Sequence, residues 1–306
     1  MLDAKNRAAN GTCLCCGAAV VTQPTLTSPF LSARAWGGPV EWSTTSRCTA
    51  CGFAFHGRGL TPAEVSRYYR GYRDETYFRD RNRFEPFYTK SVNDRLKHDV
   101  ESAERKVALR SYLDRYSILP AHDNGAFTTL DFGGGTGRLI SDFPGIKFVH
   151  DVSEETPVAG VTSLSEAQLR DDSFDLVVCA QMLEHATDPE ETARNLLRLV
   201  KPGGHLYVEV PFDETWRDFS MDGFFRRWLL RKAIKSTRWN LVLDTYGTGF
   251  RIKFKVIPPF AFVSVKEHLN FFHTNSFRAL GARIGGEVID VSRVQLLGTT
   301  LILRKQ

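Results

Sequence analysis

Two Cys-x-x-Cys-Gly pairs restrict this chain more than any other feature. They read Cys13-Leu14-Cys15-Cys16-Gly17 and Cys48-Thr49-Ala50-Cys51-Gly52, with 31 residues between them. Each spacing makes a tight turn that points two thiolates at one ion, and the following glycine relieves the backbone where amides approach sulfur. The pattern is that of a zinc ribbon with Cys13, Cys16, Cys48 and Cys51 as a closed tetrahedral set, a structural site with no open position for a substrate water. Exchange of Cys15 for Cys13 or Cys16, or entry of His56 as a ligand, is the alternative at this stage. Zinc would supply folding energy to a segment with little core of its own, including the Pro/Gly/Ser/Thr-rich stretch from Thr22 to Ser46. The sixth cysteine, Cys179, lies in the apolar run Leu176-Val177-Val178-Cys179-Ala180 and reads as a packed small residue.

Composition removes several classes. The 306 residues are 42% hydrophobic and 25% charged, which suits a globular chain able to bury a core. No apolar run reaches the roughly 18 residues of a membrane-spanning helix, and MLDAKNRAAN lacks the apolar stretch of a secretory signal. Cytoplasmic localisation and reduced cysteines are therefore expected. A net charge of +5 is too small to announce a nucleic-acid binder.

The chain divides into a ribbon (1–60), a helical linker or cap (61–120) and an α/β domain (121–306). Thr61 and Pro62 signal a helix start. Val65 to Phe87 is rich in Tyr and Arg, and helical spacing runs from about Asn93 to Tyr116. Pro120 and Asp123-Asn124-Gly125 mark a boundary. Short apolar strands then alternate with other elements: Phe127 to Phe132, Ile146 to Val149, Phe174 to Ala180 and His205 to Val210. Before the last strand comes a helix capped by Asp188, started by Pro189, carrying Leu196, Leu197 and Val200, and stopped by Lys201-Pro202-Gly203-Gly204. Such alternation implies a Rossmann-like, doubly wound parallel sheet.

The first of these strands runs into Asp131-Phe132-Gly133-Gly134-Gly135-Thr136-Gly137. Glycines at the carboxyl end of a strand let the backbone turn sharply and approach a ligand. The second strand ends in Asp151-Val152, where a carboxylate can accept from both hydroxyls of a ribose. Asp131 could meet an ammonium group through water. A phosphate loop is excluded, because no Gly-Lys-Ser/Thr follows and Asp131 would repel phosphate.

Three stretches in order now resemble class I S-adenosylmethionine-dependent methyltransferases. They are Leu130 to Gly137, Ser173 to His185 with its Leu183-Glu184-His185 ending, and Leu199-Val200-Lys201-Pro202-Gly203-Gly204. The resemblance implies a seven-stranded sheet closed by an antiparallel hairpin, for which Gly286 to Asp290 and Thr299 to Leu303 are suited. It implies S-adenosylmethionine as cofactor, held by Asp131, Gly133, Gly134, Gly135, Gly137, Asp151 and Val152, with Ala180 and Gln181 lining its other side. Only 22 residues separate Asp151 from Phe174, which leaves room for a minimal strand at Val161 to Leu164 and leaves the adenine contact open. The cysteine ribbon, the Tyr-rich linker and Glu267-His268-Leu269-Asn270-Phe271-Phe272 together resemble the group that includes sugar C-methyltransferases. That resemblance implies a sugar, glycan or related small-molecule acceptor, a nucleotide-sugar among them, methylated on oxygen or carbon.

Methyl transfer requires an aligned acceptor that loses a proton. His268 beside Glu267 is the first candidate base, since a carboxylate can fix the imidazole tautomer. The alternative is an ordering Glu-His pair. His185 follows Glu184 at the mouth of its strand and reads as lining the cofactor site before it reads as a base. His273 can start the helix at Thr274, and His150 and His205 are strand residues without context. Tyr68, Tyr69, Tyr72 and Tyr77 belong to the linker, where a tyrosine suits both packing and closure over a ligand.

A basic insertion spans about 213–265. From Arg226 to Lys255 nine Lys or Arg face one acid, Asp244, a local charge of +8, leaving −3 for the rest. Three readings compete: a lid over the diphosphate of a nucleotide-sugar, a peripheral membrane segment, and a solvated helix with one buried face. Two rival functions are an RNA methyltransferase and a non-catalytic scaffold. No Asn-Pro-Pro-Tyr-like motif for a flipped base follows Ala180, and Cys13 to Cys51 holds few basic residues, so nucleic acid is disfavoured. The intact glycine loop and Asp151 weigh against the scaffold.

Overall fold

The computed structural model describes residues 3–100, 102–122, 125–153, 155–212, 224–254 and 262–306. Along the chain come β1 (Val20–Leu26), α1 (Pro29–Ala35), β2 (Trp42–Cys48), β3 (Ala54–His56), α2 (Pro62–Tyr69), α3 (Glu75–Phe84), α4 (Lys90–Val100) and α5 (Ala103–Arg115). Then follow β4 (Thr128–Phe132), β5 (Ile146–His150), β6 (Val161–Ser163), β7 (Phe174–Ala180), α6 (Pro189–Leu199) and β8 (Val200–Val210). The described remainder holds α7 (Phe224–Ala233), α8 (Thr237–Phe254), β9 (Asn270–Phe271), α9 (Thr274–Ile284), β10 (Glu287–Val294) and β11 (Gly298–Arg304). Parts of the basic insertion, 213–223 and 255–261, lie outside the described residues, as do Asp123 and Asn124 of the expected boundary. Contacts gather the chain into two units that are not consecutive: Met1–Asp94 with His185–Thr187 and Asp213–His273, and Arg95–Glu184 with Asp188–Phe212 and Thr274–Gln306.

In the first unit an antiparallel sheet has the order β1-β2-β3-β9. The stretch Thr22 to Ser46 carries more core than its composition led us to expect. It forms most of β1 and β2 and all of α1, whose cap Ser28 accepts from the Leu31 amide. Leu26, Phe30, Leu31 and Ala35 are fully buried. The Tyr-rich stretch supplies much of the same core, with Tyr68, Tyr77 and Tyr88 packed around Phe30, Val265 and Leu269. Thr61 starts α2 through a reciprocal capping box with Glu64. Near the N-terminus Arg7 is buried, donating to the carbonyls of Thr187 (2.6 Å), His56 (2.9 Å) and Leu269 (3.3 Å). A guanidinium with five donors can tie three separate segments together in this way.

The second unit carries the seven-stranded sheet, in the order β10-β11-β8-β7-β4-β5-β6. Strands β4 to β8 pair in parallel, while β11 runs antiparallel to both β8 and β10. The hairpin expected at the end of the chain is therefore present, as is the minimal third strand, β6. Asp188 caps α6 by accepting from the Glu191 amide. Val200 does not continue the apolar face of α6: it begins β8, and Lys201 to Gly204 lies within that strand, next to an irregularity in its register with β7. The single helix expected from Asn93 to Tyr116 is two, because Ser102 turns its hydroxyl to the Arg105 amide and caps α5. After the glycine loop a short 3-10 turn at Arg138–Ile140 stands where a longer helix is usual in such folds.

Candidate functional site

The cysteine pairs converge in the first unit because the β1–β2 ladder brings them to one end. Val20, four residues beyond Cys16, pairs with Cys48 at the last position of β2. The two turns repeat one geometry. Gly17 and Gly52 have φ of 76° and 77°, and their amides donate to the carbonyls of Cys13 (2.9 Å) and Cys48 (3.1 Å). The amides of Cys15 and Cys51 point at Cys13 Sγ and Cys48 Sγ, at 3.4 and 3.5 Å.

The four Sγ atoms lie within 4.8 Å of one another, with Cys13–Cys51 at 3.6 Å and Cys16–Cys48 at 3.4 Å. A tetrahedral ion with sulfur at about 2.3 Å requires sulfur pairs about 3.8 Å apart, so this donor set fits zinc. Neither Cys15 nor His56 belongs to the group. Buried Cys15 hydrogen-bonds to Cys13, which with Cys51 pulls the Cys13 thiol far down; the same contact pushes Cys51 up. Thiols this close do not all ionise without a cation among them.

In the second unit the glycine loop occupies the carboxyl end of β4. Gly133, Gly135 and Gly137 have φ of 76°, 56° and 71°, in the left-handed region. A Cβ on Gly137 would lie 2.7 Å from Val161 Cγ1, and one on Gly134 would lie 2.1 Å from Asp131 Cγ. Side chains are thus excluded here both by backbone conformation and by space.

Parallel pairing sets Phe132 against His150, so the next residue, Asp151, stands beside the loop. Its carboxylate accepts from the Gly135 amide at 2.9 Å and the Ser153 amide at 2.7 Å. A carboxylate has roughly four acceptor positions, so two remain for a ligand. Val152 follows in the open, 70% exposed. Asp131 is buried, neither of its oxygens has a hydrogen-bond partner, and burial pushes its pKa up to about 7. An orphaned buried carboxylate beside a bare-backbone cradle suits a ligand with a cation and paired hydroxyls. S-adenosylmethionine has both.

The far side of this site is a buried charge network. At the carboxyl end of β7, Ala180 gives way to Gln181, whose φ is 58°. The Gln181 amide donates to the Glu209 carbonyl and its side chain to Glu209 Oε1, both at 2.8 Å. Tyr207 donates to Glu209 Oε2 at 2.8 Å, and Arg105 of α5 closes the set with an ion pair to Oε1. Glu209 is fully buried, and these partners are what make its charge tolerable. Glu184, buried in the turn after β7, is pushed up to about 8 by burial.

The other candidate residues belong to the first unit. Burial opposes ionisation of Glu267, but Arg81 at 3.0 Å, with His268 second, holds its carboxyl well below the usual range. Tyr68 also donates to it, at 3.3 Å. Arg81 is in turn held by Glu85 (2.8 Å) and donates to the Tyr77 hydroxyl (2.9 Å). His185 Nδ1 donates to the Glu267 carbonyl at 2.9 Å, which fixes the proton on Nδ1 and leaves Nε2 as the basic nitrogen. Burial lowers the His185 pKa. The His185 and His268 rings stand 4.8 Å apart, with Tyr69 edge-on to His185 at 6.0 Å. His273 is the residue before α9.

The structure therefore gathers Asp131, Gly133, Gly134, Gly135, Gly137, Asp151, Val152, Ala180 and Gln181 at strand ends of the second unit. It gathers Glu267, His268 and His185 in the first. Sequence reasoning missed Arg81, Arg105, Tyr207 and Glu209. Only the apolar alternation of β8, interrupted by Glu209, could have pointed to one of them.

A glycine cradle and a strand-end carboxylate on this seven-stranded sheet define a Rossmann-like methyltransferase fold. The family described as Methyltransferase domain matches residues 69–291, and the chain belongs to it. Among curated proteins it is similar to a ubiquinone biosynthesis O-methyltransferase of Aliivibrio fischeri, 36% identical over 116 residues, covering 31% of this chain and 50% of that protein. Its counterpart from Serratia proteamaculans is 46% identical over 90 residues, covering 29% and 32%. The chain thus spans half or less of the length of these relatives. Among solved structures, an S-adenosylmethionine-dependent methyltransferase from Mesorhizobium loti has a TM-score of 0.38 at 15% identity, covering 62% of this chain and 95% of that one.

Proposed function

We propose that this protein transfers a methyl group from S-adenosylmethionine to a small-molecule acceptor. The observation that carries the reading is the unpartnered, buried carboxylate of Asp131 beneath a loop of left-handed glycines, with Asp151 at the next strand end. The cofactor supplies a methyl already activated on sulfonium sulfur. Asp131 takes its ammonium group, Asp151 its ribose hydroxyls, and the backbone of Gly133, Gly134, Gly135 and Gly137 admits it closely, next to Val152. Ala180 and Gln181 line its other side, and the Arg105–Glu209 pair fixes Gln181.

His185 serves as the acceptor's base through Nε2, with its tautomer set by the Glu267 carbonyl and His268 beside it. The Glu267 carboxylate orders this corner through Arg81 and Tyr68. A sugar, glycan or nucleotide-sugar is the favoured acceptor; the curated relatives, named for O-methylation, support an oxygen as the methylated atom. Cys13, Cys16, Cys48 and Cys51 hold a structural zinc ion in a ribbon over residues 1–60. A cap over 61–120 and a methyltransferase domain over 121–306 complete the proposed organisation.

The test uses methyl-labelled S-adenosylmethionine with panels of nucleotide-sugars, glycans and phenolic acceptors. Transfer to one class, abolished by His185→Ala with cofactor binding retained, is expected. Transfer by that variant at the wild-type rate would remove His185 as the base. Cofactor binding without transfer to any acceptor would favour a scaffold.

A further inference from the structure

Helices α7 and α8 of the first unit present a surface that methyl transfer does not call for. Ser236 joins them and caps α8 through the Trp239 amide. Their inner side is settled: Leu230 and Ala233 pack with Leu26 and Phe262 in a buried cluster. The outer side is not. Trp239, Val242, Tyr246, Phe250 and Phe254 recur at steps of three and four, which places them on one helical stripe. Trp239 is 57% exposed, Tyr246 42% and Phe254 53%. An exposed apolar stripe of this size marks a contact surface.

Charge says what the surface contacts. Arg231, Lys232, Arg238 and Lys253 are exposed on the same two helices, and Lys235 is exposed in the turn between them. Asp244 is the single acid from 224 to 254, and it is turned inward, accepting from Ser264 Oγ at 2.6 Å and pairing with Lys266 at 3.1 Å. Within 224–254, then, no exposed carboxylate stands beside these five cations.

Free phosphate would use the cations but would gain nothing from the aromatic stripe. Nucleic acid would need open ring faces for stacking, whereas Tyr246, Phe250 and Phe254 turn on one another with centroids 4.8 and 5.1 Å apart. A bilayer surface uses both features: anionic headgroups meet Lys and Arg, and Trp, Tyr and Phe settle at the interface. No helix among the described residues is long and apolar enough to cross a membrane, so contact would be peripheral.

We infer that the α7–α8 hairpin docks the protein on an anionic phospholipid surface through its aromatic stripe and flanking cations. The inference is independent of the methyl-transfer reading. It is tested by sedimentation of the full chain with vesicles of phosphatidylcholine alone and of phosphatidylcholine mixed with phosphatidylglycerol. Binding to the mixed vesicles only, weakened by salt, is expected. A Lys232→Ser, Lys235→Ser, Arg238→Ser variant should bind roughly a hundredfold more weakly. A Trp239→Ser, Tyr246→Ser, Phe254→Ser variant should also lose binding, while both variants unfold as cooperatively as the wild type.

Three results would each overturn the proposal. The wild type could stay in solution with the mixed vesicles at low salt, or the aromatic variant could bind them as the wild type does. Single-stranded RNA could displace the wild type from vesicles at equal concentration, which would make the surface a nucleic-acid site.

Discussion

Asp131→Asn separates a residue kept for function from one kept for stability, because the two predict opposite signs. Buried with no hydrogen-bond partner, Asp131 has its pKa raised from 3.8 to about 7, chiefly by burial, with Arg105 opposing. In the unfolded chain it loses its proton near pH 4, while in the folded chain it keeps the proton until about pH 7. Folding therefore becomes less favourable as pH rises between these values, and the penalty is complete above the higher one. At about 1.4 kcal/mol per pH unit, the penalty reaches about 4 kcal/mol. The amide is isosteric and never ionises. Asp131→Asn should thus be more stable than the wild type by up to about 4 kcal/mol at pH 8, and the gain should vanish toward pH 4. Urea unfolding at several pH values measures it. Loss of a charged partner for the cofactor should meanwhile weaken binding by about 1.5–3 kcal/mol. A variant that is less stable at pH 8, or that binds cofactor as tightly as the wild type, would rule out this role for Asp131.

Arg105→Ala should cost about 3–5 kcal/mol, because it strands the fully buried Glu209. Thermal unfolding beside an Arg105→Met, Glu209→Leu double variant should show much of that loss restored; a neutral single variant would contradict the network. Gly137→Ala, at φ 71° and 2.7 Å from Val161, should cost about 1–3 kcal/mol and weaken cofactor binding, read by denaturation and titration. Chelation of the purified protein should release one zinc ion per chain by mass spectrometry and lower the melting temperature, as should Cys16→Ser; zinc-free protein melting unchanged would exclude a structural ion.

What the sequence disclosed follows from how local each feature is. The β4 loop, Asp151, the Asp188 cap and the Cys-x-x-Cys turns each occupy fewer than ten residues, and their chemistry is set by neighbours in the chain. The break at Ser102 was also local: a serine followed by Glu104 is a helix-start signal that the apolar spacing from Leu96 to Leu113 concealed. Arg105–Glu209 and Arg81–Glu267 span 104 and 186 positions, and no periodicity announces such pairs.

The tautomer of His185 was hidden for the same reason, since a carbonyl 82 residues away fixes it. Composition misled once: Thr, Ser and Pro between Thr22 and Ser46 suggested a stretch with little core. Yet hydroxyls at Ser28, Thr27 and Ser32 pair locally and let that stretch be buried as strand and helix.

The methyl transfer proposed for this protein depends on the β4 glycine loop and Asp151 holding S-adenosylmethionine. Calorimetric titration of the zinc-loaded protein with S-adenosylmethionine and S-adenosylhomocysteine, beside Asp151→Ala, decides this. Saturable one-to-one binding of both ligands by the wild type is expected, with weakening by about 1.5–3 kcal/mol in the variant, where a charged acceptor of ribose hydroxyls is gone. Absence of heat at millimolar ligand, or equal affinity in Asp151→Ala, would contradict it.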